Sequence, residues 1–313
     1  MGYLTKYGSM WGNIPNTAGQ VFWVAPAAAY TVDGISYTAS DSNDGLSPAR
    51  AMLTLGAAIT AATASVGDVI VLLPGAHSWA ATAALSKAGL TIMGLPSGQG
   101  NARRHKTSVT TSASDEIFNV TAANIEIAYL HFITITAKAA VDLTAAADNL
   151  YIHNCSFDMF TAAANTATIG VGVTAIGNTA RNVIISDCVF DIAGAQGPGV
   201  SLGDAQEAVV QDNVFSLRSG TLASACNVDG ITSNTALVRR NYFYAHQATM
   251  SAGILGGTDD GSTSRVTIVG NFFSGAEIVL PVDGFGTLNA KIAENYLAGA
   301  GAAAGGVLWS SIT

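Results

Sequence analysis

The sequence predicts an all-β solenoid, a parallel β-helix in which short strands stack coil upon coil. Seven segments of the chain repeat one pattern of apolar and polar residues, and each of them ends on a bulky apolar anchor. The anchors are Phe132, Phe157, Phe190, Phe215, Phe243, Phe273 and Leu297. Successive anchors are 25, 33, 25, 28, 30 and 24 residues apart, and a period of this length is typical of stacked structural units.

Within each unit the pattern predicts one short strand, a sharp corner and then the inward-facing anchor. The residues seven and five positions before the anchor are apolar in every unit, and positions two apart point to the same side of a strand. Two positions before the anchor, most units have Cys or Asn. A buried Asn needs hydrogen-bond partners, and an identical side chain one coil away supplies them. We therefore predict a ladder along the corner, formed by Cys155, Cys188, Asn213, Asn241, Asn271 and Asn295.

The residues ahead of the repeats predict a cap for the solenoid. Residues 54–64 have helix-forming residues with apolar side chains at helical spacing, and they precede a buried strand over residues 69–73. A solenoid exposes an apolar end that its terminal unit must cover, so we expect this short helix to cap the first coil. Residues 1–37 show no period, and we divide the chain into this irregular leader and a β-helix domain over residues 38–313.

Composition disfavours several classes of function. The 313 residues include 11% charged residues and carry a net charge of −8, which disfavours contact with a nucleic-acid backbone. The longest apolar runs are rich in Ala and broken by Gly, Thr or Ser, and the first residues lack the apolar core of a signal peptide. We therefore expect neither a membrane span nor secretion. The three cysteines suggest no disulfide framework, and no Cys/His cluster has metal-ligand spacing, so we expect neither a metal nor another cofactor.

One segment of the chain carries a family resemblance. Residues 40–79 begin with SDSNDGLSP, continue through the predicted helix and contain GDVIVLLPG. Together with the later I-x-x-N-x-F units, this segment resembles the pectate-lyase-like superfamily of single-stranded parallel β-helices over roughly residues 38–300. The resemblance implies a right-handed coil. The superfamily includes polysaccharide lyases, glycoside hydrolases and epimerases, and it also includes phage tailspikes and other virion β-helices, which are usually trimeric.

Catalysis in this fold requires charged groups on one face of adjacent coils. Three positions before the anchor, Asp187 stands over Asp212 and Arg240 follows, which is the only stacked carboxylate pair in the aligned columns. These three residues are the catalytic candidates. The alternative is an exposed corner pair that Arg239 and Arg240 neutralise. The paired Asp, His-Gly and Arg-x-Lys signature of the superfamily's hydrolases is absent from the sequence, so we leave the enzyme question open and favour a role without catalysis.

The longer spacings between anchors predict two loops that leave the rod, over residues 159–180 and 244–264. Function on such scaffolds concentrates in protruding loops. The second loop contains candidate ligand-binding residues for a cation or a sugar hydroxyl, and these are His246, Asp259 and Asp260. The alternative for Asp259 and Asp260 is an ordinary turn.

The irregular leader predicts a first interface. It carries Trp11, Phe22 and Trp23 without any period, and exposed aromatic residues in an irregular segment favour docking onto a partner or a neighbouring subunit. The alternative is a leader that packs back onto the first coil of its own rod.

A column on the outer side of the strands predicts a second interface. Six positions before the anchor stand Ile184, Val209 and Leu237, with Tyr151 beside them. By alternation these side chains face away from the core, and contiguous exposed apolar residues usually mark a contact surface. We expect a subunit contact here, in a homotrimer by the resemblance; the alternative is a loop that folds over the stripe.

These observations predict a structural protein of a tailed-phage virion, either a capsid decoration or a spike. It would be made in the host cytoplasm and would contact copies of itself, phage capsid or tail proteins, and host glycans as a further ligand. The alternative is a polysaccharide lyase or glycoside hydrolase of the tailspike type.

Overall fold

The computed structural model of the protein describes residues 19–32, 34–95, 107–111, 115–134, 138–159, 169–172, 180–193, 197–202, 205–228, 235–245, 249–255, 265–275, 278–283, 289–298 and 306–311. These residues form three parallel sheets around one continuous apolar core, which confirms the predicted all-β parallel β-helix. Each full coil contributes one strand to each sheet, and successive coils follow the order of the chain.

Sheet 1 opens each coil, and its strands pair in parallel with one another along the rod. It consists of β1 (Val21–Val24), β4 (Val69–Leu72), β7 (Thr91–Gly94), β10 (Glu126–Ala128), β13 (Tyr151–His153), β16 (Arg181–Ser186), β19 (Gln206–Gln211), β22 (Thr235–Arg239), β25 (Arg265–Val269) and the first half of β28 (Asn289–Ala298).

Sheet 2 follows sheet 1 after a sharp corner, which is two residues long from β10 to β25. It consists of β5 (Gly75–Trp79), β8 (Thr107–Thr111), β11 (His131–Ile133), β14 (Ser156–Met159), β17 (Val189–Ala193), β20 (Val214–Ser219), β23 (Tyr242–Ala245), β26 (Phe272–Ser274) and the second half of β28.

Sheet 3 completes the coil and is also parallel throughout. It consists of β6 (Ala83–Leu85), β9 (Phe118–Val120), β12 (Val141–Leu143), β15 (Val171–Gly172), β18 (Val200–Ser201), β21 (Thr221–Asn227), β24 (Thr249–Leu255) and β27 (Ile278–Asp283). Outside the three sheets, β2 (Ala29–Val32) and β3 (Ile35–Thr38) form an antiparallel hairpin. The last strand, β29 (Gly306–Ser311), pairs antiparallel with β28 and so covers part of the edge that the final coil would otherwise expose.

The predicted anchors form one continuous file inside the rod. From Phe132 to Phe273, successive rings stack nearly parallel with centroids 4.6 to 4.9 Å apart. This spacing matches the distance of about 4.8 Å between neighbouring strands. The alternation read from the sequence therefore assigns the inner and outer faces of sheets 1 and 2 correctly.

The corner between sheets 1 and 2 is bridged by buried amides. Asn241 Nδ2 donates to the Val210 carbonyl at 2.9 Å and to Asn271 Oδ1 at 3.0 Å. Asn241 Oδ1 accepts the backbone N–H of Asn213 at 3.0 Å. The same bonds recur one coil earlier and one coil later. The buried side chains of this file are Cys155, Cys188, Asn213, Asn241, Asn271 and Asn295.

The single α-helix in the described residues, α1, runs from Leu55 to Ala61 and is shorter than the predicted range of 54–64. It begins after Thr54, whose side chain accepts the N–H of Ala57, and its apolar side buries Leu55 in the main core. The helix ends early because the buried Asp68 carboxylate accepts the N–H of Thr63 at 2.6 Å, which holds the chain outside a helical path. A 3-10 turn over Pro48–Arg50 precedes α1.

The leader differs from its prediction at residues 21–24. Strand β1 lies inside the predicted leader, yet it pairs in register with β4 and forms the first strand of sheet 1. Its side chains Phe22 and Trp23 are each only 4% exposed. The predicted docking role of these two residues is therefore wrong, since their rings are buried by their own chain; for Phe22 and Trp23, the alternative of packing back onto their own rod is the observed one. Trp11 lies outside the described residues.

Candidate functional site

The outer face of sheet 1 carries two parallel rows of side chains along the rod. The first row is the apolar file, in which strand register places the following side chains on successive coils: Tyr151, Ile184, Val209 and Leu237. The second row is the polar file, which runs beside it: His153, Ser186, Gln211 and Arg239. The structure thus brings together the four residues of the predicted stripe, with Tyr151 exposed and the other three partly exposed.

The same face is closed over the first coils by the chain itself. In line with the polar file, register places Trp23, Val71, Met93 and Ala128 on four successive coils. These four residues, the covered patch, are all buried. Tyr30 and Tyr37 of the hairpin β2–β3 belong to the same apolar cluster as these four residues. The face therefore changes from covered to open between β10 and β13.

A hydrogen-bonded cluster stands at that boundary. His153 Nε2 lies 2.8 Å from Glu126 Oε1, and Asn154 Nδ2 lies 2.8 Å from His153 Nδ1. Thr91 Oγ1 donates to Glu126 Oε2 at 3.0 Å. The Tyr151 ring stacks on the imidazole with centroids 4.2 Å apart. The bond from His153 holds the pKa of Glu126 below its usual value, with Thr91 adding to the effect and burial opposing it.

This cluster contains residue types that also occur in catalytic sites, but here the side chains bond to one another and hold the ring of Tyr151 in place. The Nε2–H of His153 donates to Glu126, and Nδ1 accepts from Asn154, so both ring nitrogens are engaged within the chain. Ser186 is buried, and its Oγ contacts the Tyr151 hydroxyl at 3.2 Å. The cluster therefore fixes the orientation of Tyr151 at the end of the apolar file.

The catalytic candidates Asp187, Asp212 and Arg240 lie on three successive coils at the corner, as the register of the flanking strands places them. All three have a left-handed backbone, with φ of 54°, 57° and 54°. Arg240 donates to both carboxylate oxygens of Asp212, at 2.8 and 2.7 Å. This contact lowers the pKa of Asp212, with burial opposing it. A carboxyl group held ionised in this way is poorly suited to act as a general acid, and Arg239 is directed to Gln211 instead.

A second stacked carboxylate pair corrects the sequence analysis. Asp158 and Asp191 face each other in register on β14 and β17, so the pair at Asp187 and Asp212 is not unique. Arg218 donates to Asp191 at 3.2 Å from Nε and 2.5 Å from Nη2. The pair escaped notice because it follows the anchor by one residue, outside the aligned columns. The repeated dipeptide Phe-Asp in two successive units was the available signal.

An exposed aromatic group on sheet 2 was also missed. Strand register places Tyr242, Phe272 and Tyr296 on three successive coils, one position before the anchor and facing outward. Tyr242 is 47% exposed and Tyr296 is 50% exposed, and the rings of Tyr242 and Phe272 are 5.7 Å apart. The signal of this column was an aromatic residue directly after the corner Asn in the last three units.

Other predicted groups give less chemistry. His246, Asp259 and Asp260 lie outside the described residues. In the part of the chain that the structure describes, no three His, Cys, Asp or Glu side chains come together as a metal site, and no helix there is long and apolar enough to span a bilayer. The free cysteines are buried; burial raises the pKa of Cys226 to about 12 and also raises that of Cys188.

Comparison with solved structures identifies the fold. The pectin methylesterase PemA from Erwinia chrysanthemi aligns with a TM-score of 0.54 at 13% identity, over 93% of this chain and 92% of that chain. A pectin methylesterase in complex with hexasaccharide VII aligns with a TM-score of 0.52 at 13% identity, over 86% of this chain and 91% of that one. A tailspike protein of Acinetobacter baumannii bacteriophage Fri1, a capsular polysaccharide depolymerase, aligns with a TM-score of only 0.36 at 11% identity, over 72% and 52%.

No protein-family model and no curated protein matches the sequence. Identities of 13% to the pectin methylesterases show the fold alone. The chain is therefore a right-handed parallel β-helix, and its function has to be argued from its own surfaces.

Proposed function

We propose that this protein is a structural β-helix of a tailed-phage virion, a capsid decoration or spike, and that it assembles with copies of itself through the apolar file. The observation that carries the proposal is the alignment of Ile184, Val209 and Leu237 in register on an open outer face. Each is partly exposed, and a contiguous apolar row on a rigid surface favours burial against another molecule.

The charged groups support a structural role over catalysis. Arg240 holds Asp212 in a two-point ion pair at the corner. Arg218 does the same for Asp191 on sheet 2, and Glu126 holds His153 on sheet 1. In each case the groups that an enzyme would direct at a substrate are directed at one another, which suits a rod that must keep its shape.

The location in the virion rests on the resemblance of the opening segment and the repeats to the pectate-lyase-like superfamily, which includes virion β-helices. Synthesis in the host cytoplasm, contact with capsid or tail proteins, and a homotrimer are the expectations that this resemblance supports. The stiffness of a stacked rod also suits a particle component, because it holds a contact surface at a fixed angle.

Two measurements on the full chain test the proposal. Gold-labelled antibodies against the protein should mark the shell or the tail of phage particles in electron micrographs. Sedimentation velocity should show the mass rising above the single-chain 31.7 kDa with concentration, and Val209→Lys should remain a single chain. A single chain at all concentrations together with unmarked particles would overturn the proposal.

A second candidate function is carbohydrate binding, because the exposed rings of Tyr242 and Tyr296 and the partly exposed ring of Phe272 form a row on which sugar rings can stack. Its catalytic form is a polysaccharide lyase or glycoside hydrolase acting through Asp187, Asp212 and Arg240.

A panel of acidic and neutral polysaccharides separates these forms from the structural role. Ultraviolet absorbance from an unsaturated product, or new reducing ends, that disappear in Asp212→Ala would establish the enzyme. Retention of the chain on a polysaccharide column that is lost in Tyr296→Ala, with no product formed, would establish binding alone. Neither signal is expected if the protein is purely structural.

A further inference from the structure

The apolar file has a charge of opposite sign at each end. Glu126 precedes Tyr151 in register, one coil before the file. Beyond Leu237, the same column continues through Thr267 to Lys291. Along the rod the column therefore has a carboxylate, five uncharged residues and an exposed ammonium group.

The order of these residues is self-complementary when it is reversed. Val209 is the middle member, three coils from Glu126 and three coils from Lys291. Laying a second column antiparallel on the first, with Val209 against Val209, brings Glu126 opposite Lys291 at both ends. Ile184 then meets Leu237. A parallel arrangement would instead place each charge opposite its own copy, where like charges repel.

We infer that the apolar file binds a second copy of this chain in antiparallel orientation, about a two-fold axis at the level of Val209. The axis would lie between the two faces and run along the strands, so that each column faces its own copy reversed. The inference rests on the proposed self-assembly, and it commits to two copies in place of the three that the resemblance favours.

The polar file is compatible with the same axis. Gln211 is at the level of Val209 and would face its own copy, where two amides can exchange hydrogen bonds. Arg239 would face Ser186, so the cation of this row does not meet another cation. Glu207 is exposed and lies two residues before Val209 on the same strand, at the edge of the face. Because it is at the level of the axis, it would face Glu207 of the second copy. Removing that carboxylate should therefore tighten the contact.

The covered patch shows the same kind of contact within one chain. Over the first coils, Trp23, Val71 and Met93 are buried in one apolar cluster, which includes Tyr30 and Tyr37 of the hairpin. The open part of the face begins where this cover ends. A second copy would extend the cover over the following coils.

The size of the face sets the expected strength. Six coil steps of about 4.8 Å and strands of about four residues give a footprint of roughly 30 by 13 Å, on the order of 400 Å² on each copy. Stable interfaces bury about 800 Å² on each partner. The contact is therefore expected to be weak and concentration-dependent, with a dissociation constant in the micromolar range or above.

Charge reversal tests the orientation. Lys291→Glu should weaken the association about tenfold, since it replaces attraction by repulsion at both ends. Adding Glu126→Lys to that variant should restore part of the association, since the change renews the attraction at both ends but also removes the bond of Glu126 to His153. Glu207→Gln should strengthen it severalfold. Sedimentation equilibrium measures all four chains, with circular dichroism as the check on folding. In a parallel contact Lys291→Glu would leave the association unchanged, which would overturn the inference.

Cross-linking gives a second test that does not depend on charge. Facing sheets lie about 10 Å apart, a gap that a short bismaleimide spans and a disulfide does not. Val209→Cys alone should cross-link to a dimer. Ile184→Cys alone should not, because antiparallel docking separates its two copies by about 14 Å; mixed with Leu237→Cys it should. The native cysteines are buried, so the unmodified chain is the control.

The outcomes separate the two proposals. A chain that stays single at all concentrations overturns both the self-assembly and its orientation. A trimer, or Ile184→Cys that cross-links alone as readily as Val209→Cys, leaves self-assembly standing and overturns the antiparallel pair. Protection of Val209 by a phage protein or by a polysaccharide, with no self-association, overturns the pair in favour of that occupant.

Discussion

The outer face of sheet 1 is closed over its first coils and open over the following ones, although the strands below are paired in the same way. In the first coils, Trp23, Val71 and Met93 are buried in an apolar cluster that includes Tyr30 and Tyr37 of the hairpin β2–β3. In the later coils, Ile184, Val209 and Leu237 remain partly exposed. The solenoid therefore determines where side chains stand, and what covers them is determined by other parts of the chain or by another molecule.

The coils also differ at the corner between sheets 1 and 2, although this change comes two coils after the change from covered to open. In the earlier coils the corner is filled by Leu130, Cys155 and Cys188, which pack by size and need few hydrogen bonds. From Asn213 onward each corner amide bonds to the next one and to a strand carbonyl. The same backbone geometry at the corner can therefore be filled in two ways, either by apolar or thiol side chains or by a continuous ladder of amides.

The largest expected effect lies in the covered region. Trp23→Ala removes a large buried ring from the apolar cluster of the first coils and should lower the free energy of unfolding by about 4 kcal/mol. Urea denaturation followed by circular dichroism measures it. An unchanged midpoint would mean that this face is not covered in solution.

Interrupting the amide ladder should have the next largest effect. Asn241→Leu keeps the size of the side chain but removes the acceptor of the Asn213 backbone N–H and the amide donor to the Val210 carbonyl. Asn271 Oδ1 keeps only the backbone N–H of residue 241, and Asn213 Nδ2 keeps only the Ile185 carbonyl. We expect a loss of about 3 kcal/mol, since each orphaned buried group has a cost. Thermal unfolding is the measurement, and a wild-type melting temperature would contradict the ladder.

A variant that extends the amide ladder by one coil tests the difference between the two kinds of corner. Cys188→Asn places an amide where Asn213 Oδ1 already accepts the Cys188 N–H and where the Ile152 carbonyl is within reach of the side chain. Its stability should stay within about 1 kcal/mol of wild type.

The matched control is Cys155→Asn. Its side-chain amide would lie against the Cys188 thiol, where no amide oxygen is present to accept its hydrogen bond. It should lose about 2 kcal/mol, and the double variant should recover part of this loss. Equal losses in the two single variants would show that the corner geometry, rather than the partner, limits the ladder.

Acid should weaken the boundary cluster by a smaller amount. The pKa of Glu126 is lowered in the folded chain, mainly by the bond from His153. A carboxyl of this kind adds stability above its unfolded pKa of about 4.3 and loses it as the pH falls through the folded value. Wild type should therefore lose more stability than Glu126→Gln below about pH 4.3, by less than about 1 kcal/mol. Urea denaturation at several pH values gives the free energy of unfolding of both chains. If this free energy falls with pH equally in wild type and in Glu126→Gln, the linkage is contradicted.

The smallest effect on folding is expected in the open region. Val209→Lys should change the free energy of unfolding of the single chain by no more than about 0.5 kcal/mol, because the side chain is partly exposed. Dilute samples keep the chain single during the denaturation experiment. A loss comparable to that of Trp23→Ala would mean that Val209 is already covered by its own chain.

The repeat predicted those features that depend on strand alternation alone. The columns that contain Phe190 and Val209 predicted which side chains face inward and which face outward, because successive side chains of a strand point to opposite faces of the sheet. The corner column pointed to Asn241 because a buried amide needs a partner. Contacts that cross between columns were not accessible in this way: the bond of His153 to Glu126 joins neighbouring coils diagonally, and it depends on side-chain rotamers.

The leader shows a second limit. Strand β1 is followed by neither a corner nor an anchor of the repeating type, so Phe22 and Trp23 looked like parts of an irregular segment. Their burial depends on pairing with β4, almost fifty residues later in the chain. Phe22 then enters the main core, and Trp23 joins the cluster that includes the hairpin residues Tyr30 and Tyr37. Long-range pairing of a single strand leaves no period in the sequence.

Hydroxyl-radical footprinting of the full chain at increasing concentration compares the two regions in one experiment. Trp23 and Met93 should stay unreactive throughout, Tyr151 and Leu237 should lose reactivity as copies associate, and Tyr242 on sheet 2 should stay reactive as the control. The assignment of the open face as a contact surface would be contradicted if the reactivity of Tyr151 and Leu237 stayed the same at all concentrations. The series should extend to the local protein concentration expected in a virus particle.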